Sequence, residues 1–258
     1  MIINILNDNI ASGICGAAHG LSWYIQAEKN ILFDAGPGEM AFTNAQTLNI
    51  DPNDNEFVVL SHGHWDHGNG LRFLKGGTLI AHPEIYRKRF KKSNGQSIGL
   101  DMTKEDVENK FDTQLTAKPR QLTESIWYLG EINRVNNWDS GHEDFILEDK
   151  SPDTVPDDTG LVAKTNQGLV VISGCAHSGI TNITLQAMRL FPDTRVHAVM
   201  GGFHLKPGDK RIDATISFFK KLEVNQLYPS HCTSPEVICE LKNQLNVRFV
   251  RTGNAFRF

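Results

Sequence analysis

The sequence predicts a mixed α/β (α+β) fold built as one domain. Short β-branched apolar runs, such as 57–60 and 168–173, alternate with stretches of helical periodicity such as 180–190. Several runs stop at glycine, histidine or aspartate, which is typical of strands that end at one edge of a sheet. The chain has 258 residues and shows no internal repeat and no linker between independent domains. We therefore expect a single domain over 1–258.

The individual elements follow from the same patterns. Strands are expected at 1–6, 22–26, 31–33, 57–60, 78–81, 160–165, 168–173, 196–200, 226–229, 247–250 and 255–258. Helices are expected at 39–48, 71–74, 180–190, 212–222 and 235–245. The pair Asn166-Gln167 separates two apolar runs, which indicates a hairpin.

Composition narrows the class of protein. The apolar content of 40% and the charged content of 22% are ordinary for a soluble globular chain. A formal net charge of -4 does not indicate nucleic-acid binding. The sequence contains no window of about 18 apolar residues, so no membrane span is expected. The N-terminus lacks a basic region and a cleavage site, so a first strand and a cytoplasmic location are expected. The cysteines form no C-x-x-C pair and are expected to be reduced thiols.

A ligand-rich decapeptide, SHGHWDHGNG, follows the predicted strand at 57–60. His62 and His64 are two positions apart and can project the same way from an extended segment. Asp66 and His67 follow on the turn and can face a second point nearby. Imidazole and carboxylate together suit zinc, iron or manganese, and the cluster is dense enough for two adjacent ions. A metal centre at this strand end is the expectation.

The His-x-His-x-Asp-His pattern resembles the signature of the metallo-β-lactamase superfamily. The resemblance implies an αββα sandwich with a metal centre at one edge, between two β-sheets. Asp34 ends another predicted strand in an Asp-x-Gly pattern. In the superfamily such an aspartate braces the metal loop by hydrogen bonding, and the alternative is an ordinary turn residue or helix cap.

Three further strand ends present histidine: His177, His204 and His231. All could converge with the decapeptide at one edge of the sheets. The superfamily pattern implies that His62, His64 and His177 bind one metal. It implies that Asp66, His67 and His231 bind the second.

Two positions depart from the superfamily pattern. The usual bridging aspartate follows a glycine, and here Gly174 is followed by Cys175, which could ligate zinc as thiolate or simply be buried. Where a histidine usually precedes the hairpin, this chain has Asp157 and Asp158. Either carboxylate could contact a metal, and the alternative is an exposed acidic turn.

Four short motifs narrow the resemblance to a branch related to the archaeal dihydropterin–ribofuranosylaminobenzene phosphate synthase. These motifs are HGLS, which begins at His19, GCAH, which begins at Gly174, GGFHL, which begins at Gly201, and PSHC, which begins at Pro229. In that branch an insertion can form a ferredoxin-like subdomain, which implies a small inserted α+β element over the active site at 86–156.

Within 86–156 the sequence indicates a helix behind a Thr103-x-x-Asp106 capping box and a strand pair at 113–122 and 126–129. His142 in the aperiodic remainder could reach inward or be an exposed loop residue. His82, just before the insertion, could reach the site or be structural.

The expected function is a dinuclear metal-dependent hydrolase that acts on a phosphoester or similar small anionic substrate through a metal-bound hydroxide. Two divalent ions are implied, zinc first, with iron or manganese as alternatives. Asp66 would hold the water as well as a metal, and His204 would be the acid or oxyanion donor. His19 and His204 would contact the substrate. The alternatives are a transferase of the synthase type and a non-hydrolytic metal-dependent sensor. The sequence leaves open whether the protein forms a homo-oligomer.

Overall fold

The computed structural model describes residues 1–140 and 144–258. The strands in those ranges are β1 (Ile2–Asn7), β2 (Ser22–Gln26), β3 (Asn30–Phe33), β4 (Phe57–Val59), β5 (Thr78–Ala81), β6 (Arg89–Lys91), β7 (Asp112–Leu115), β8 (Arg120–Gln121), β9 (Ile126–Tyr128), β10 (Phe145–Leu147), β11 (Gly160–Thr165), β12 (Gly168–Ser173), β13 (Val196–Gly202), β14 (Gln226–Ser230) and β15 (Ala255–Arg257). The helices are α1 (Met40–Thr47), α2 (Trp65–Gly68), α3 (Lys104–Lys110), α4 (Ile180–Leu190), α5 (Arg211–Lys221) and α6 (Pro235–Lys242). Short 3₁₀ helices cover Asn69–Phe73, Pro83–Tyr86 and Asn137–Asp139.

Two central sheets carry most of these strands. The first has the order β15-β1-β2-β3-β4-β5-β7, and the second has the order β14-β13-β12-β11-β9-β8. Three apolar layers hold the sandwich together: one between α1 and the first sheet, one between the sheets, and one between the second sheet and α4 to α6. The sheets with helices on their outer faces confirm the expected αββα fold.

Local patterns explain why these segments adopt their structures. β12 (Gly168–Ser173) is buried along its whole length, because β13 lies parallel to it and apolar layers cover both faces. In α4, Ile180, Ile183 and Ala187 lie on one face and pack into the layer beneath the second sheet. The capping box that opens α3 is confirmed, since Thr103 Oγ1 accepts from the Asp106 backbone N–H at 3.1 Å.

Parallel pairing aligns the functional strand ends. β3, β4 and β5 are mutually parallel in the first sheet, and β12, β13 and β14 are parallel in the second. The carboxyl ends of parallel strands meet at one edge of a sheet, which is where α/β folds bind ligands. The histidine-bearing loops therefore leave both sheets at the same edge.

The described part of 86–156 does not form a separate subdomain. β7 pairs with β5 in the first sheet, whereas β8 and β9 pair with each other and extend the second. The predicted pairing of 113–122 with 126–129 therefore holds only for β8 and β9, because the weak alternation of these short strands does not encode their partners. Among the strands of the described ranges, only β6 and β10 pair outside the main sheets. His142 lies outside the described residues.

The predicted terminal strand at 247–250 is wrong. Val247 makes an isolated bridge to Leu227, and residues 248–250 belong to no strand. The apolar side chains of Val247 and Val250 are nevertheless buried, which accounts for the pattern that suggested a strand.

Asp157 and Asp158 are buried, so their interpretation as an exposed acidic turn is wrong. The Arg89 side chain is fully buried and donates two hydrogen bonds to the Asp157 carboxylate, and its Nε lies 3.0 Å from Asp153 Oδ2. Asp157 Oδ2 also accepts from the Gly63 backbone N–H at 2.8 Å. This ion cluster thereby ties the segment containing β6 to the backbone between the two histidines of the decapeptide.

Among the described residues, no helix combines the length and apolar character that crossing a bilayer requires.

Replacing the buried guanidinium should strongly destabilise the fold. We expect Arg89→Met to lower the free energy of unfolding by about 3–5 kcal/mol, because two carboxylates would be left buried without their partner. Urea unfolding of the metal-free protein measures this. Lys88→Met is the matched control, since Lys88 pairs with Glu148 on the surface and should contribute little. Equal midpoints for the two variants would contradict the prediction.

Candidate metal centre

Two groups of donor atoms lie at the shared edge of the sheets. The ligand atoms of His62, His64 and His177 are within 4.8 Å of one another, and all three residues are buried. The ligand atoms of Asp66, His67 and His231 form a second buried group by the same measure. The structure thus brings together all six residues that the sequence predicted as ligands.

The Asp34 carboxylate braces the loop after β4, which carries two members of each group. It accepts hydrogen bonds from Ser61 N at 2.7 Å, Ser61 Oγ at 2.7 Å and His67 Nδ1 at 2.6 Å. Ser61 Oγ lies 2.9 Å from His62 Nδ1, and because it donates to Asp34 it accepts from that ring. Both rings consequently turn their Nε2 lone pairs inward. Gly174 packs against this brace, since a Cβ there would lie 2.1 Å from Ser61 Oγ.

The spacing of the inward donors fits a metal ion. His67 Nε2 lies 3.1 Å from His231 Nε2, and Asp66 Oδ2 lies 3.5 Å from His231 Nε2 and 3.8 Å from His67 Nε2. In the other group, His62 Nε2 and His64 Nδ1 are 2.9 Å apart. A tetrahedral ion bound at about 2.0–2.1 Å separates its ligand atoms by about 3.3 Å. The donor sets therefore suit divalent ions in both chemistry and spacing.

Cys175 lies between the two groups. Its Sγ is 3.2 Å from His67 Nε2, and it clusters with His62 and His67 on one side and with His177 and His204 on another. Burial, together with the neighbouring Cys232, raises the pKa of the Cys175 thiol well above its usual value. A nearby cation would favour the thiolate instead. Cys175 therefore lies close to members of both groups, and its ligation of a metal remains a prediction.

Electrostatics favour the ligating protonation states of His62, His64 and Asp66. Burial, with the neighbouring imidazoles, lowers the pKa of His62 and His64 well below the usual value. Burial would raise the pKa of Asp66, but His67, His19 and His231 outweigh it and lower it well below the usual range. Neutral imidazole and ionised carboxylate are the forms that bind metals.

Three other candidates from the sequence take different places. Asp158 accepts from the backbone N–H of Ser178 at 2.8 Å and belongs to neither donor group. Asp157 holds Arg89 and the Gly63 backbone, as described above. His82 accepts from the Glu84 backbone N–H and lies 3.6 Å from the Glu131 carboxylate, so it caps a 3₁₀ helix.

A cavity of about 610 Å³ opens above the donors. His204 and His19 both line it, and the His204 ring centroid is 4.5 Å from that of His177. Lys91 and Lys206 also contribute to its walls. The rest of the lining combines apolar side chains, among them Phe145, Ile238 and Phe249, with polar ones such as Asp8 and Ser230. Such a cavity can take a molecule larger than a single phosphate group.

Two residues near the donors were missed by sequence reasoning. Asn9 contacts the ring of His231, and Cys232 clusters with Cys175 and His231. Cys232 adjoins a predicted ligand and could have been suspected. Asn9 is 222 positions from His231 along the chain and carries no local signal.

Fold and site together define the class of protein. The sequence profile of the metallo-β-lactamase superfamily matches residues 15–181, more than half of the chain. The chain belongs to the metallo-β-lactamase superfamily.

Two relatives come from the archaeon Methanocaldococcus jannaschii. One, 7,8-dihydropterin-6-methyl-4-(beta-D-ribofuranosyl)-aminobenzene-5'-phosphate synthase, is 34% identical over 83% of this chain and 81% of its own length. The other is an uncharacterized protein, 32% identical over 95% of both chains. A crystal structure of a metal-dependent hydrolase of the β-lactamase superfamily is 29% identical, with a TM-score of 0.90 over 100% of this chain and 99% of the other. A diphosphatase of the PhnP family shares the fold, with a TM-score of 0.58 at 14% identity over 100% of this chain and 97% of the other.

Removing the brace should weaken metal binding. In Asp34→Asn an amide NH₂ can face the Ser61 hydroxyl and the His67 N–H, so donors would oppose donors. We expect zinc affinity to fall about 10–100-fold, as for other residues that orient metal ligands. Competition with a chromophoric chelator measures this. Asp112→Asn, at an exposed position, is the control and should bind as the wild type does. Unchanged affinity in Asp34→Asn would show that the brace is dispensable.

Proposed function

We propose that the protein is a dinuclear metal-dependent hydrolase of a phosphoester or a similar small anionic substrate. The observation that carries this proposal is the pair of three-residue donor groups with Cys175 between them, beneath a cavity. A lone structural ion would need neither two groups nor an open approach. The similarity to a metal-dependent hydrolase over the full chain supports the same reaction class.

His62, His64 and His177 would hold one ion, and Asp66, His67 and His231 the other, with Cys175 placed to contact both. Two divalent ions in these positions supply Lewis acidity and a water of lowered pKa. Zinc fits a set of imidazoles, a carboxylate and a thiol, and iron or manganese are the alternatives. The structural zinc of a non-catalytic sensor would not require the cavity.

The cavity walls suit an anionic substrate. Lys91 and Lys206 bring positive charge to a lining of mixed polar and apolar side chains, and ammonium groups bind phosphate as point charges. Phe145 packs edge-on against His64, with ring centroids 5.3 Å apart, so it borders the donor groups directly. A phosphoryl group near the ions would extend its organic part along the apolar wall.

His204 would act as the proton donor. In hydrolysis the water oxygen bonds to phosphorus, the ester P–O bond breaks, and the departing oxygen needs a proton. His204 borders the cavity beside His177 and is not required by either three-residue group. It can therefore deliver that proton, or donate a hydrogen bond to a phosphoryl oxygen.

Metal content tests the dinuclear site. Protein purified without added metal should carry about two equivalents of metal by elemental analysis, and a panel of phosphomonoesters and phosphodiesters should show turnover. His177→Ala should lower the content towards one equivalent, because one group would lose a ligand. One equivalent or none in the wild type, after reconstitution with each candidate metal, would contradict the proposal.

Substitution of His204 separates a proton donor from a ligand. We expect His204→Gln to keep its full metal content while turnover falls about 10²–10⁴-fold, since a general acid contributes that much. His197→Gln is the control, as His197 lies on β13 outside both donor groups. Loss of metal from His204→Gln would make this residue a ligand instead.

A second candidate is a transferase of the synthase type. It is favoured by the 34% identity to the archaeal synthase and by a cavity with room for a ring system. The donor groups would then assist the departure of a diphosphate, and an amine would replace water as the nucleophile. Product analysis with a phosphorylated aromatic amine and a diphosphate ester of a ring compound both present distinguishes the two: a coupled product with release of diphosphate indicates the transferase, and phosphate release without coupling indicates the hydrolase.

A further inference from the structure

Asn9, in the loop after β1, lies between two histidines of the site. Its Oδ1 is 3.0 Å from His231 Nδ1, and its Nδ2 is 3.2 Å from His19 Nδ1. His19 Nε2 lies 3.3 Å from Asp66 Oδ2, which is 3.5 Å from His231 Nε2. Asn9, His19, Asp66 and His231 therefore form a closed ring of polar contacts.

Two backbone groups determine which way the Asn9 amide points. The Gly20 backbone N–H donates to Asn9 Oδ1 at 3.1 Å, and Asn9 Nδ2 donates to the His231 carbonyl oxygen at 3.0 Å. A backbone N–H can only donate and a carbonyl oxygen can only accept. Exchanging Oδ1 and Nδ2 would break both bonds, so the amide has one orientation.

That orientation sets the tautomers of both rings. His231 Nδ1 faces an oxygen that can only accept, so this nitrogen carries the proton and Nε2 keeps its lone pair. His19 Nδ1 faces an NH₂ that can only donate, so the neutral ring carries its proton on Nε2. That Nε2–H points at the Asp66 carboxylate.

The same reasoning applies to the second donor group, where two ring nitrogens present their lone pairs to each other. His67 donates through Nδ1 to Asp34, so its Nε2 is also a lone pair. The Nε2 atoms of His67 and His231 are 3.1 Å apart, and in the neutral rings neither has a proton to offer the other. A cation placed between them would satisfy both lone pairs.

We propose that Asn9 is a positioning residue that sets the tautomers of His231 and His19, and that His19 orients the Asp66 carboxylate for metal binding. The role in metal binding rests on the proposed function, whereas the tautomers follow from contacts within the protein and do not depend on a metal. It assigns His19, which is largely exposed in the cavity, a role that does not require contact with substrate.

The tautomers can be read by long-range ¹H–¹⁵N NMR of the histidine rings at about pH 9, well above the usual histidine pKa of about 6.5. The signals that disappear in His231→Gln and in His19→Gln identify these two rings in the spectrum of the metal-free wild type. The His231 ring should carry its proton on Nδ1, and the His19 ring should carry its proton on Nε2. In Asn9→Asp the second carboxylate oxygen replaces the donor, so His19 should move its proton to Nδ1 or gain a second one. His231 should keep its Nδ1–H. An unchanged His19 pattern would overturn the proposal.

Metal affinity provides the second measurement, by calorimetric titration of zinc into the metal-free protein. Asn9→Leu should weaken one zinc equivalent about 10–100-fold, and Asn9→Ser should weaken it less, because a hydroxyl can still accept from His231. His19→Gln, which keeps an N–H donor, should bind more tightly than His19→Leu. Asn4→Leu is the matched control, since Asn4 lies on β1 and its side chain donates to the Tyr24 carbonyl oxygen and the Gln26 side chain.

The outcomes separate the two proposals. Equal zinc affinity in His19→Gln, His19→Leu and the wild type, with a change only in substrate KM, would make His19 a substrate contact and overturn the positioning role. If the wild type binds one ion or none, the proposed function fails, while the tautomers measured in the metal-free protein still test Asn9.

Discussion

The Asp34 carboxylate holds the metal loop to the first sheet, and the rest of the site depends on those hydrogen bonds. This carboxylate accepts hydrogen bonds from the backbone N–H and the hydroxyl of Ser61 and from the ring of His67. Through Ser61 it also orients the ring of His62. It therefore aligns one ligand from each donor group. The φ angle of 57° at Asp34 is unusual for a residue other than glycine, and the three bonds that the carboxylate accepts compensate for it.

The second sheet contributes its ligands through the same strand-end geometry. Ala176, His204 and His231 all have positive φ angles, of 61°, 50° and 49°. Each lies just beyond a parallel strand, where the chain must turn sharply to aim a side chain between the sheets. Such conformations are rare and cluster at functional sites. The strands thus fix where the donors lie, and the unfavourable backbone conformations are confined to the loops that follow them.

Outer contacts tie distant segments to the ligands. Arg89 and Asp157 hold the backbone at Gly63, while Asn9 holds His231 from the opposite side. The region at 86–156 is accordingly part of the support of the site as well as of its cavity, to which it contributes Lys91 and Phe145. A ligand held by two such contacts has one ring orientation, which is what a site for two adjacent ions requires.

The sequence by itself predicted most strand and helix positions and placed histidines at several strand ends, because periodicity and strand-end residues are local signals. The αββα fold and the set of six donor residues came from the resemblance of its motifs to the superfamily. Only the tertiary structure decided the partners of those residues. The pairing of Asp157 with Arg89, the place of Cys175 between the two groups, and the contact of Asn9 with His231 join positions that are 68, 108 and 222 residues from their partners. Nothing in a local pattern encodes such contacts. The strand register and the packing of two sheets create them, so they could be seen only once the chain was folded.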